Sequence, residues 1–174
     1  AKFRWDQAVN ARMYQGFLRF RWTETVEGGD LADSIRYSVD YPLPTLVGNN
    51  LLGNGEINTA VGYEDFYNFL ANTPALPVKP GVLRWFRGID LHLVAGSDDL
   101  ATYISVSQPS NSIVQDKPFF TNVQGGAGVF ASRATYVRPY LNISNNSLDS
   151  LVYSRKTCKL RFAKTTVFDT LTCN

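Results

Sequence analysis

One histidine, two cysteines and a net charge of +2 across 174 residues leave little from which to build the commoner active sites. A Ser-His-Asp or Cys-His mechanism would have to run through His92. That residue sits in an alternating stretch beside Asp90, with no G-x-S-x-G elbow, H-E-x-x-H pair or phosphate-loop pattern anywhere in the chain. It reads as a surface or rim histidine. One histidine and two cysteines do not complete a tetrahedral metal set, and no pattern calls for a cofactor. The 17 Lys and Arg against 15 Asp and Glu are scattered, so no basic stripe suited to nucleic acid forms. No apolar run approaches the roughly 20 residues of a spanning helix, and there is no internal repeat or low-complexity tract. The opening AKFRWDQ has no apolar signal core. The missing initiator methionine points to a processed or trimmed chain, which leaves secretion and a lipid anchor in the precursor open.

What is present leans toward strands. Hydrophobic residues make up 44%, aromatics 13% and charged residues 18%, with Val, Ile and Thr abundant, which speaks for a folded chain rich in β-structure. The length fits one β-rich domain over residues 1–174. The expected fold is mainly β, an antiparallel β-sandwich with two or three short helices.

Phe17 to Val26 alternates, with Leu18, Phe20 and Trp22 on one face and Phe17, Arg19, Arg21 and Thr23 on the other. Ile35 to Tyr41 alternates likewise, and the pair should form an antiparallel unit across Glu27–Asp30. Arg19, Arg21 and Arg36 then share a sheet face, in the plainer reading a solvated one and in the rival reading a functional anion site. Val82 to Val94 predicts a strand with a glycine bulge at Gly88, Leu100 to Val106 its partner after an Ala95–Asp99 turn, and Ile113–Gln115 a short further strand. Thr135–Asn142 and Thr157–Phe162 read as strands. Trp5–Met13 has the spacing of a short amphipathic helix, Tyr63–Ala71 that of a helix led by Glu64 and Asp65, and Ser147–Val152 that of one or two turns. Pro42–Gly62 reads as loop, and Ala71–Gly81 as a proline-rich connector.

Paired carboxylates suffice for glycoside hydrolysis, and Glu56, Glu64, Asp65, Asp98 and Asp99 are available. The plainer reading makes Glu64 and Asp65 first-turn helix acids, and Asp98 and Asp99 turn formers without the ligand spacing of a calcium loop. Trp22 fits sheet core. Trp85, flanked by Arg84 and Arg87, is the aromatic best placed to touch a glycan or partner. In Asp116–Arg133, DKPFFTNVQGGAGVFASR, the glycines Gly125, Gly126 and Gly128 lack the strand-to-helix context of a dinucleotide motif and read as a tight turn or bulge. Phe119, Phe120, Val129 and Phe130 are expected in the core, with Arg133 free for an outside contact. Cys158 and Cys173 have 14 residues between them. A disulfide there would contribute up to about 3 kcal/mol, the alternative is two buried thiols, and both readings stay open here.

The order RWFRGIDLHLVAGSDDLATYISV, DKPFFTNVQGGAGVFASR, NNSLDSLVYSRKT and LRF resembles uncharacterised cell-envelope lipoproteins and secreted domains of Bacteroidota. The resemblance covers about the second half of the chain and brings no catalytic residue. It implies an outer-membrane or extracellular setting and a β-rich binding or structural role. Asp33-Ser34-Ile35, Asp149-Ser150-Leu151 and Asp169-Thr170-Leu171 look like the O-glycosylation signal of that phylum. The leading expectation is a non-enzymatic cell-surface or secreted domain that binds a glycan or protein or builds the envelope. Its rivals are a carboxylate-dependent glycan-active enzyme and a strand-pairing assembly subunit.

Overall fold

Alternation along two long segments builds the central sheet of the computed structural model, which describes residues 1–8, 10–47, 55–107 and 119–164. The elements named below run in the order β1 (Lys2–Asp6), β2 (Ala11–Val26), β3 (Ile35–Pro42), β4 (Leu46–Val47), β5 (Glu56–Ala60), α1 (Tyr63–Asn72), β6 (Val82–Ser97), α2 (Asp98–Ser107), β7 (Arg133–Leu141) and α3 (Asn145–Tyr153). Strands β3, β2, β6 and β7 pair in that order, each pair antiparallel, and β4 pairs with the start of β2. β1 and β5 make a separate two-stranded antiparallel sheet. The protein is mainly β, a sandwich-like arrangement of two antiparallel sheets with three α-helices among the described residues.

One face of the large sheet is the core. Leu18, Phe20 and Trp22 of β2 and Ile89, Leu91 and Leu93 of β6 are buried against Phe66 and Leu70 of α1, Leu151 and Val152 of α3, and Leu160 and Phe162 near the end. Burying a side chain of this size is worth about 1.5–3 kcal/mol, so this face dominates the stability. Phe3 and Trp5 bring the small sheet onto the same face, and Ile57 packs with Ala11 and Tyr14. Glu24 and Arg84 also point into this layer. Arg84 is fully buried and spends its donors on Glu24 Oε1 (2.8 Å), the Leu160 carbonyl (2.7 Å) and the Pro77 carbonyl (2.7 Å). Trp22 Nε1 and Lys79 Nζ donate to the same carboxylate, at 3.1 and 3.0 Å. Burial alone would push Glu24 up; its hydrogen bonds from Arg84, Trp22 and Lys79 outweigh that and hold it below the usual carboxylate range.

Several local expectations are overturned. Trp5–Met13 is not a helix: Trp5 pairs with Ile57 in β1–β5, and a turn through Asn10, at φ 63°, leads into β2. Its strand partner lay in the segment read as loop, where Glu56–Ala60 forms β5. Leu100–Val106 is helix, not strand, and Ala95–Ser97 continues β6 where a turn was expected. Asp98 and Asp99 in the first turn suit the helix dipole, and Leu100 lies so close over Gly96 that a Cβ there would meet its Cδ2 at 3.0 Å. Thr157–Phe162 is a short 3-10 turn, Cys158–Leu160, followed by a lone parallel bridge from Phe162 to Arg84. Phe119 and Phe130 are exposed, not core, because their loop closes on itself: the Asn122 amide bonds both backbone groups of Phe130, at 2.7 and 2.8 Å. The expected strand Ile113–Gln115 and Cys173 lie outside the described residues, and Cys158 is buried.

A candidate binding cleft on the open sheet face

The opposite face of the large sheet carries the polar half of each alternation. Arg19 and Arg21 of β2 share it with Arg36 and Asp40 of β3, as Thr23 pairs with Arg36 and Arg19 with Asp40. β6 adds Asp90 opposite Arg19 and His92 opposite Phe17. Arg19 grips Asp40 through Nε (2.8 Å) and Nη2 (2.9 Å), and that bond keeps its guanidinium pKa above the ordinary value against the opposing pull of burial. His92 stacks on Phe17 at 4.4 Å between ring centroids, and its Nε2 is covered without a hydrogen-bond partner. No acyl-transfer grouping surrounds it among the described residues.

Two backbone irregularities meet at one end of this face. The register of β6 against β2 slips between Phe86 and Gly88, where Gly88 has φ 124°. Phe86 packs on the core, as do Ile89 and Leu91, so the extra residue switches the phase of the strand. Residues three apart on a regular strand face opposite ways; the bulge brings Arg87 onto the face that carries Asp90. Arg87 Nε donates to Thr23 Oγ1 at 3.0 Å. Across from the bulge, β7 slips its own register, and Tyr140 adopts φ 57°, a left-handed conformation that costs a bulky residue about 1–2 kcal/mol. Its amide donates to Asp90 Oδ1 at 3.0 Å, while its ring is 70% exposed.

Between these features lies a cleft of about 420 Å³ lined by Arg21, Thr23, Ser34, Arg36, Arg87 and Tyr140. Arg21 Nε donates to the buried Asp90 at 2.6 Å, Nη2 reaches the same oxygen, and the Arg21 guanidinium lies 6.0 Å from the Tyr140 ring centroid. Burial would raise Asp90, but the Tyr140 amide and Arg21 outweigh it and hold the carboxyl below its usual range. The cleft therefore sets two held guanidinium groups, Arg21 and Arg87, and the exposed Arg36 beside an exposed tyrosine.

The sequence-derived candidates divide. Arg87 is in the cleft. Arg84, its near neighbour, is sealed inside the core network and does not reach solvent. Trp85 is half-buried with its Nε1 covered and unpartnered, and it does not line the cleft. Arg133 is exposed at the far end of β7, seven positions from Tyr140 or about 23 Å along the strand. Arg21 and Arg36, weighed from the sequence as a solvated face or an anion site, line the cleft, and Tyr140 joins them without having been singled out as a ligand contact. The alternation of Arg19, Arg21 and Arg36 was a legible signal, whereas nothing local marks Tyr140 as left-handed. Among the acids, Glu56 faces Arg4 at 3.6 Å, Glu64 faces Lys156 at 3.6 Å and Asp98 faces Arg12 at 3.8 Å. A second cleft of about 440 Å³, between β1 and β7, is lined by Trp5, Tyr14, Tyr136, Arg4 and Arg138 and contains one carboxylate, Asp6. Neither cleft holds the facing carboxylate pair of a glycosidase. No helix among the described residues is long and apolar enough to cross a membrane, and no described group of three or more His, Cys, Asp or Glu could hold a metal.

Comparison of the chain with protein-family models, curated proteins and solved structures finds no match.

Proposed function

We propose that this chain is a non-enzymatic binding domain of the cell surface or the extracellular space, and that it takes a glycan in the cleft at Tyr140. The observation that carries this reading is the convergence of the Gly88 bulge and left-handed Tyr140 on a concave site of about 420 Å³. A cleft of that size suits one or two sugar rings better than a flat protein interface. An exposed tyrosine beside fixed hydrogen-bond donors is the combination that sugar rings use, one face for stacking and edges for hydrogen bonds. The envelope setting rests on the resemblance in the second half of the chain, as does a lipid anchor in the precursor.

Glycan-array profiling of the wild type, Tyr140→Ala and Trp85→Ala tests it. The expected result is a defined set of bound glycans that Tyr140→Ala loses and Trp85→Ala keeps. An empty array, or a profile unmoved by Tyr140→Ala, rejects the reading.

A second reading has its own support. β7 is a nine-residue edge strand with eight exposed residues, and β3 at the other edge is also largely uncovered. Such edges are templates for strand addition, as in an assembly subunit. Light scattering decides that one: oligomers at high concentration support it, and a persistent monomer ends it.

A further inference from the structure

We infer that the cleft recognises an oxyanion on its ligand, a carboxylate or a sulfate ester carried by an acidic sugar. This rests on the glycan reading for the sugar, but not for the anion. Three guanidinium groups, Arg21, Arg36 and Arg87, line the cleft, and no described acid lines it. Arg21 is neutralised by Asp90 behind it, and the next acid on the face, Asp40, is gripped by Arg19. Arg87 uses Nε on a neutral threonine hydroxyl, which leaves its terminal nitrogens to the cleft. Arg36, exposed on β3, has no ion-pair or hydrogen-bond partner among the described residues. Two positive charges are thus uncompensated at the mouth of one cleft.

The construction around those charges points the same way. A solvated arginine face needs no support, yet here two of the three groups, Arg21 and Arg87, are each set by a separate device. Asp90, 1% exposed, fixes Arg21 and is itself fixed by the Tyr140 amide. Thr23 orients Arg87, and the Gly88 bulge puts Arg87 and Asp90 on one face. Gly88, at φ 124°, takes a backbone conformation that residues with a side chain rarely adopt, so the bulge opposite Tyr140 favours glycine. Planar guanidinium forks match the two oxygens of a carboxylate or sulfate, and pre-orientation reduces the entropy lost when they engage. The Tyr140 ring supplies the wall against which the sugar carrying that group would stack.

The test is calorimetric titration of the full chain with four probes: oligogalacturonate for carboxylate, κ-carrageenan oligosaccharide for sulfate, maltohexaose as the neutral sugar, and sodium sulfate. At least one acidic oligosaccharide should bind, with an affinity that falls as ionic strength rises, and maltohexaose should not. Arg36→Gln and Arg87→Gln should each weaken binding about tenfold or more, with Arg36→Lys in between, and all three should melt like the wild type. Equal binding of maltohexaose, with both glutamine variants unchanged, overturns the oxyanion inference and leaves the glycan reading standing. Binding of sulfate that needs Arg36, with no oligosaccharide bound, upholds the oxyanion site and overturns the glycan reading. Silence from all four probes overturns both.

Discussion

Replacing Arg84 by methionine keeps a long, flexible stem in the core and removes only the guanidinium head. The head makes three charge-assisted hydrogen bonds, to Glu24 and to the carbonyls of Leu160 and Pro77, from a position with no exposure. These tie β2 and β6 to the proline connector and to the 3-10 turn at Cys158–Leu160. The substitution strands the buried Leu160 carbonyl and leaves Glu24 with Trp22 and Lys79 as its remaining donors. Breaking a buried pair from one side costs roughly 3–5 kcal/mol, which is a large share of the roughly 5–15 kcal/mol that a domain has in total. With a urea m-value of about 2 kcal/mol/M, the midpoint should fall by about 2 M.

Equilibrium urea unfolding of the wild type and Arg84→Met, followed by tryptophan fluorescence, measures that shift. The double variant Glu24→Leu/Arg84→Met sharpens it, because removing both charges also removes the buried carboxylate left without its principal partner and should recover more than about 1 kcal/mol of the loss. A midpoint that moves by less than about 0.5 M at unchanged m would refute the view that Arg84 is a structural cation. It would also reopen the residue as a ligand contact.

At Tyr140 the left-handed backbone makes glycine the better replacement, so Tyr140→Gly should be more stable than Tyr140→Ala by about 1 kcal/mol in thermal unfolding; equal stabilities would remove the strain argument. Asp90 has a folded pKa below its unfolded value, so its contribution is present above about pH 4 and is lost as pH falls through the folded value. Unfolding free energies between pH 2 and 6 should therefore drop less steeply toward acid for Asp90→Asn than for the wild type, and parallel curves would contradict the pairing with Arg21. Tyr67 is pushed up to about 12, chiefly by burial and then by Tyr63, against the pull of its 2.7 Å bond to the Ser147 carbonyl. The unfolded phenol ionises first, near pH 10, so stability falls from there upward, and Tyr67→Phe should flatten that alkaline loss in a pH series followed by circular dichroism.

The strands that carry their own pattern were legible: Phe17–Val26, Ile35–Tyr41 and the two phases of Val82–Val94 all announce a face by alternation. Gly88 was legible as a bulge because the apolar phase changes there, from Phe86 to Ile89 and Leu91. What failed depended on partners remote in sequence. β1 is a strand because Glu56–Ala60 lies beside it, and no window around Trp5 contains that information. Leu100–Val106 has strand-forming residues but becomes helix because the helix starts on two acids and packs over Gly96 and against β2 and β6. The site divided in the same way. Arg19, Arg21 and Arg36 could be assigned to one face from parity, while the burial of Arg84 and the conformation of Tyr140 depend on what the tertiary structure puts next to them.

Arg84 and Arg87 show how one strand serves both purposes. They lie three positions apart on β6, on opposite sides of the sheet, and the same guanidinium chemistry meets opposite surroundings. Arg84 finds a carboxylate and two carbonyls in the core, and the interaction is complete within the fold. Arg87 finds a threonine hydroxyl and an open cleft. The strain at Tyr140 lies on Arg87's side of the sheet, and the ring that incurs it is 70% exposed, so core packing gains nothing from it. Its amide does help to hold Asp90, but a glycine or asparagine at that φ would supply the same N–H at lower cost. A tyrosine there fits the ligand contact proposed for its ring, because backbone strain that the core does not require is a reason to look for a role outside the fold.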